Sequence, residues 1–212
     1  MAVKKLFWED PYLEKVMAVI TGLNGNTITL DKTVFYAFSG GQASDSGTIA
    51  DIKVIEAKKI DREIFYTLES TEGINVGDNV LVSIDWNKRY KIMRLHFAAE
   101  IILELVYQNY NRPEKLGANI SEDKARIDFF FEGNISGIFS DLIKRAKDII
   151  DANLPIKSSF SDIENEKRYW EIEGFAKVSC GGTHIRHTGE IGSINLKRRR
   201  NGINNERIEI YL

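Results

Sequence analysis

The residues that can do chemistry in this chain are concentrated in one stretch. Ser179-Cys180-Gly181-Gly182-Thr183-His184-Ile185-Arg186-His187-Thr188-Gly189-Glu190-Ile191-Gly192 holds the only cysteine and two of the three histidines. Any soft-metal chemistry must therefore pass through it. A thiolate and an imidazole four positions apart, carried round a Gly181-Gly182 turn, can reach one ion, because glycine takes the positive φ such turns often need without strain. Two ligands do not complete a zinc site. The third histidine, His96, lies in the strongly helical Arg94-Leu95-His96-Phe97-Ala98-Ala99-Glu100, and its spacing to Glu100 puts both on one helix face. His96, Glu100, Cys180 and His184 together form an N/O/S set that tetrahedral zinc accepts at about 2.0–2.3 Å.

The elements that must carry these residues follow from periodicity and punctuation. Asp85 can cap a helix that begins near Trp86 and runs to about Asn111, where Arg112-Pro113 stops it. Its apolar positions, Trp86, Tyr90, Met93, Phe97, Ile101, Leu105 and Tyr107, keep a helical period. A second helix, capped by Ser136 or Ser140, places Leu142, Ile143, Ala146, Ile149 and Ile150 on one side and ends before Leu154-Pro155. Strands are expected at 125–131, 156–160, 176–179, 191–197 and 207–211. Upstream, 16–21 and 27–30 flank an Asn-Gly turn signal and read as a hairpin, with further strands at 47–56, 64–68 and 79–84. Many short strands without a helix predict an antiparallel β-barrel-like module over 1–86. Residues 87–212 then form an α+β domain with helices packed on an antiparallel sheet, and the fold class is α+β. The polar stretch Ser39-Gly40-Gly41-Gln42-Ala43-Ser44-Asp45-Ser46-Gly47 reads as a loop of the first module.

Composition sets the limits. The chain has 212 residues, 43% hydrophobic and 28% charged, enough for a sizeable core. A single cysteine excludes an intramolecular disulfide and fits a reducing, cytoplasmic compartment. The first residues lack the apolar run of a signal peptide, and the greasiest segment, 97–107, is interrupted by Glu100 and Glu104, so no membrane association is expected. The net charge of −2 argues against a uniformly basic coat. Two local runs, Lys88-Arg89-Tyr90-Lys91 with Arg94 and Lys197-Arg198-Arg199-Arg200, nevertheless offer phosphate contacts whose strength would fall with salt.

Cys180-Gly181-Gly182-Thr183-His184 followed by Thr188-Gly189-Glu190-Ile191-Gly192 resembles the signature of the alanyl-tRNA synthetase editing domain and its free-standing relatives, the AlaX proteins. Phe35-Tyr36, Gly40-Gly41-Gln42 and Asp45-x-Gly47-x-Ile49 are similar to the glycine-rich motif of the module that precedes that domain, and Arg207-Ile208-Glu209 resembles an Arg-Ile-Glu near its end. The resemblance runs in order along nearly the whole chain.

It implies a trans-editing hydrolase that deacylates mischarged tRNA(Ala), chiefly Ser-tRNA(Ala) and also Gly-tRNA(Ala), without a nucleotide cofactor, since 212 residues leave no room for an aminoacylation domain. Zn2+ would be held by His96, Cys180 and His184. Gln42 and Thr183 would serve catalysis, and Ser39, Gly40, Gly41, Gly181 and Gly182 would surround the aminoacyl-adenosine end. The two basic runs would contact the tRNA. A homodimer is compatible with this. The chain departs from the family at Glu100, where the pattern has histidine, and at Ser39, where it has glycine. Two roles are open to Glu100, a fourth ligand or an unligated base that activates water. A site that binds metal poorly would leave a non-catalytic zinc- or tRNA-binding module, and a detached domain of a synthetase assembly is a further alternative.

Overall fold

The computed structural model describes residues 2–212. The chain is α+β, mostly sheet with two helices, and divides into two compact units whose boundary falls between Tyr90 and Lys91.

The first unit contains β1 (Lys4–Lys5), β2 (Lys15–Asn24), β3 (Thr27–Leu30), β4 (Lys32–Thr33), β5 (Gly47–Ile49), β6 (Ile52–Ile60), β7 (Glu63–Leu68) and β8 (Asn79–Ile84); β2–β3, β5–β6 and β6–β7 are joined by tight turns, and residues 34–46 form a long loop between β4 and β5. Strand pairing closes on itself in the order β2-β3-β7-β6-β5-β8, forming a barrel. Alternate residues of β3, β7 and β8 are buried, as a sheet with one face on a core requires. Ile28, Val34, Ile49, Tyr66 and Val82 fill that core, and the Tyr66 hydroxyl donates to Thr33 Oγ1 at 2.8 Å. The single strand expected over 47–56 is in fact two, because Ala50 and Asp51 adopt φ of 53° and 61° and turn the chain back on itself.

The helix α1 (Trp86–Asn109) starts where Asp85 predicts: the Asp85 carboxylate accepts from Lys88 N–H at 3.2 Å, a cap contributing about 1 kcal/mol. It stops two residues earlier than expected, and Asn111 and Arg112 take φ of 53° and 46°. Its middle is buried on nearly every side rather than along one stripe. Ile92, Met93, Leu95, Phe97, Ala98, Ile101, Ile102, Leu105 and Val106 are all inaccessible, so α1 is a core helix.

The rest of the second unit comprises β9 (Lys115–Ile120), β10 (Ala125–Phe130), α2 (Phe139–Asp151), β11 (Lys157–Asp162), β12 (Lys167–Ile172), β13 (Ala176–Ser179), β14 (Asn195–Arg200) and β15 (Asn205–Tyr211). They build two antiparallel sheets, β14-β15-β10-β9 and β11-β12-β13. Asn134, rather than a serine, caps a short 3-10 turn over Ile135–Ile138 that leads into α2. The strand expected at 191–197 begins at Asn195, because Thr188–Ile191 forms a second 3-10 turn. β9 and β12 were not expected from periodicity. Among the described residues, no helix is long and apolar enough to cross a membrane.

Candidate metal centre

One turn of α1 and the segment after β13 meet in the second unit. The helical repeat puts His96 and Glu100 on one face of α1, with His96 Nε2 3.2 Å from Glu100 Oε1. Cys180 Sγ lies 3.5 Å from His96 Nε2, and His184 Nε2 lies 3.3 Å from the same sulfur. The ligand atoms of His96, Cys180 and His184 all fall within 4.8 Å of one another. Ligands of a tetrahedral zinc stand about 3.3–3.8 Å apart, as bonds of about 2.0–2.3 Å dictate. The two sulfur–nitrogen distances match that spacing, and two imidazoles and a cysteine sulfur within 4.8 Å of one another suit a metal ion. Glu100 is not part of that mutual set: one oxygen faces His96, and the other accepts from the indole N–H of Trp170 at 3.1 Å.

The surroundings fix each ring. His184 Nδ1 is 3.0 Å from Ser158 Oγ; with that nitrogen's proton donated to the hydroxyl, Nε2 keeps the lone pair a metal takes. Phe97 packs edge-on against both His184 and Trp170. Burial favours neutral His96, but the adjacent Cys180 sulfur and Glu100 outweigh it and raise the imidazole's pKa well above the ordinary histidine value. Burial acts to raise Glu100 as well, yet the hydrogen bond and charge of His96 hold it well below the usual carboxylate range. Burial, then the charge of His96, push His184 down to about 3. Both shifts favour a charged His96–Glu100 pair when no metal is bound, and ligation through Nε2 requires that nitrogen to be unprotonated.

The segment that carries Cys180 and His184 is held by its own sequence. Neither Gly181 nor Gly182 has a positive φ, contrary to expectation, so this turn does not depend on glycine's left-handed freedom. Arg168 holds it instead, through its backbone and its side chain: Cys180 N–H donates to Arg168 O at 2.9 Å and the guanidinium Nη1 donates to Gly182 O at 3.3 Å. The Thr188-Gly189-Glu190-Ile191-Gly192 motif is a clasp. Thr188 Oγ1 accepts from Leu154 N–H at 2.8 Å and donates to Ile149 O at 2.7 Å, tying the segment to the end of α2. The Glu190 carboxylate accepts from the Arg186 and His187 N–H groups, both at 2.9 Å. Arg94, four residues after Tyr90 on α1, donates to Ile191 O at 2.7 Å and Glu190 O at 2.8 Å, and Gly192 with φ 73° lets the chain leave. His187 is exposed and caps the 3-10 turn.

Thr183 is buried beside His184. Ser39, Gly40, Gly41 and Gln42 belong to the first unit, where Ser39 and Gln42 exchange backbone hydrogen bonds across Gly40 (φ 59°) and Gly41 (φ 88°). Gln42 is buried and Gly40 exposed.

The cationic runs are dispersed by the fold. Arg89 is not a phosphate contact: its side chain is 0% exposed and forms an ion pair with Asp45, with further bonds to Val34 O at 2.7 Å and Pro11 O at 3.0 Å. Lys88 is half-buried and Lys91 exposed. Arg94 is spent on the clasp. In β14 the side-chain alternation sends Arg198 to the face of Leu196, where it grips buried Glu206 at 2.5 and 2.7 Å. Lys197 and Arg199 point to the other face, Lys197 over the Tyr211 ring at 4.9 Å and Arg199 3.6 Å from Glu209. Arg200 is exposed and donates to Gly202 O at 3.2 Å. Four consecutive cations therefore do not form one patch. Arg207 and Glu209 are likewise sheet residues, bonded to Asp128 and Lys124.

The sequence reading missed Ser158, Arg168 and Trp170. All three stand on β11 and β12, and the alternation of Arg168, Trp170 and Ile172 as buried residues is the signal that exposes β12.

Residues 4–88 match the family model "tRNA synthetases class II (A)", and residues 169–209 match "Threonyl and Alanyl tRNA synthetase second additional domain". The alanyl-tRNA editing protein AlaX-M of Pyrococcus horikoshii is 31% identical over 213 residues, covering 99% of this chain and 97% of that protein. The alanyl-tRNA editing protein AlaX-M of Methanosarcina mazei is 31% identical over 98% of this chain and 95% of its own length. The alanine–tRNA ligase of Methanococcus aeolicus is 33% identical over 96% of this chain, which spans 25% of that enzyme. With its centre of two histidines and a cysteine and a near-full-length match at this identity, the chain belongs to the AlaX-M family of alanyl-tRNA editing proteins.

Proposed function

We propose that this chain is an aminoacyl-tRNA deacylase that acts in trans on mischarged tRNA(Ala), releasing chiefly serine and also glycine. The observation that carries the proposal is the meeting of His96 with Cys180 and His184, 84 and 88 residues away in sequence, in a member of an editing-protein family. Residues 1–86 act as the barrel-like module that presents the glycine-rich loop, and residues 87–212 as the editing domain, its helices packed on antiparallel sheet. The protein works in the cytoplasm and needs no nucleotide, because the aminoacyl ester is already activated.

Zn2+ suits the donor set, and when bound through His96, Cys180 and His184 it supplies Lewis acidity for water or the aminoacyl end. Glu100, oriented by the Trp170 indole, either accepts the proton of the attacking water at Oε1 or acts as fourth donor. N–H groups of Gly181 and Gly182 are placed on the segment next to the ligands, where they can stabilise the oxyanion. Ser39, Gln42 and Thr183 are the polar groups suited to recognising the serine hydroxyl, a contact alanine cannot make. Gly40 and Gly41 leave room for backbone approach to the terminal adenosine. Lys88, Lys91, Lys197, Arg199 and Arg200 remain the candidates for tRNA phosphates.

The test is release of labelled serine from Ser-tRNA(Ala), beside Ala-tRNA(Ala), by wild type and Cys180→Ala. Serine-selective release that disappears in the variant is expected. No release by folded, zinc-replete wild type would refute it. A second reading, a binding module without turnover, is favoured by the engagement of both Glu100 oxygens; it predicts stoichiometric metal and tRNA binding without release.

A further inference from the structure

The first unit carries a cleft of ≈ 760 Å³ between the loop that follows Phe38 and strand β6, within the size range of small-ligand sites. Lys53, Lys58, Lys59 and Lys88 line it, against the acidic Asp45 and Glu56. The Asp45 charge is neutralised by Arg89 in a fully buried pair, so the cleft presents a positive surface in a chain of net charge −2. At its edge Phe38 is 57% exposed, as is Ile55. An aromatic ring left this open has no packing reason, yet its backbone is pinned. Phe38 N–H donates to Ser44 Oγ at 2.7 Å, and Phe38 forms a bridge with Lys58.

A solvent-facing aromatic ring on a fixed stretch of backbone, beside several ammonium groups, is the arrangement that takes an unpaired nucleotide, the base stacking on the ring and its phosphates meeting the cations. We infer that the Phe38 cleft binds single-stranded RNA, the base on Phe38 and the flanking phosphates on Lys53 and Lys58. As the unpaired part of a tRNA substrate, that RNA rests on the deacylase reading. Phe38 immediately precedes Ser39-Gly40-Gly41-Gln42, so the strand would be gripped next to the loop assigned to the aminoacyl end. The assignment also gives β6, which the family motifs leave unused, a role.

The experiment is fluorescence-anisotropy titration of a short single-stranded RNA into the full chain at several salt concentrations. Wild type, Phe38→Ala and Lys53→Gln/Lys58→Gln would be compared with Lys15→Gln, an exposed lysine that does not line the cleft. Phe38→Ala should weaken binding about 5- to 150-fold. The double lysine variant should lower the slope of log K against log salt by about 1.4. These residues are surface-exposed, and unchanged melting curves would verify folding. Binding by both cleft variants equal to that of Lys15→Gln, or equal affinity for a duplex of the same length, would overturn the inference. Deacylation separates the two readings. If wild type releases serine and Phe38→Ala does so with unchanged KM and RNA affinity, the cleft assignment alone fails. If wild type binds the RNA through the cleft but releases nothing, the deacylase reading alone fails.

Discussion

Replacing Arg89 by methionine separates two roles that the same residue could have. Its guanidinium meets the Asp45 carboxylate through Nε at 2.8 Å and through Nη2, and also satisfies the carbonyls of Val34 and Pro11. Both partners of the pair are almost wholly inaccessible, at 0% and 1%. Removing one leaves an uncompensated buried carboxylate, which costs about 3–5 kcal/mol. For a chain of this length that corresponds to about 6–20 °C in melting temperature. Removing both charges should cost less, because Asp45→Leu added to Arg89→Met takes away the stranded carboxylate; a double-mutant cycle read by urea denaturation measures this coupling. Coupling of at least half the single-variant cost is expected. If Arg89→Met moved the melting temperature by less than about 2 °C while weakening tRNA binding, Arg89 would be a phosphate contact after all and the argument from burial would fail.

Trp170→Phe keeps the aromatic packing on Phe97 but removes the N–H held by Glu100 Oε2; metal affinity, measured by competition with a chromogenic chelator, should weaken about 10- to 100-fold. Unchanged affinity would mean that Glu100 is not a metal donor oriented by Trp170. In β14, Arg198→Gln should lower stability through its pair with Glu206, whereas Lys197→Gln/Arg199→Gln should leave the melting temperature within a few degrees and lower tRNA affinity in filter binding. The pH dependence follows the same pair. Arg198 holds the Glu206 pKa below the ordinary value of 4.5, so its contribution is fully present above about 4.5 and is lost as pH falls through the depressed folded value. Acid titration of stability should therefore show a wild-type loss below about pH 4.5 that is diminished in Glu206→Gln.

The sequence alone determined the local features. Asp85 caps α1 because a carboxylate at that position can reach Lys88 N–H whatever the rest of the chain does. The hairpin of β2 and β3 and the second helix likewise follow from turn chemistry and apolar period. His96, Cys180 and His184 stood out because cysteine and histidine are scarce in this chain, while their convergence from 84 and 88 positions apart is a tertiary contact. Tertiary structure decided what local patterns cannot encode. The helical stripe read on α1 proved to be one part of a helix buried nearly all round, since neighbours on its other faces come from distant segments. Strand β12 was invisible as a core element until burial of Arg168 and Trp170 gave its alternation meaning, because both residue types usually stay at least partly wet. The two basic runs looked equivalent in sequence. Folding buried Arg89 on Asp45 and divided 197–200 between two faces of a strand, because charge compensation is a long-range property and side-chain direction is set by the sheet.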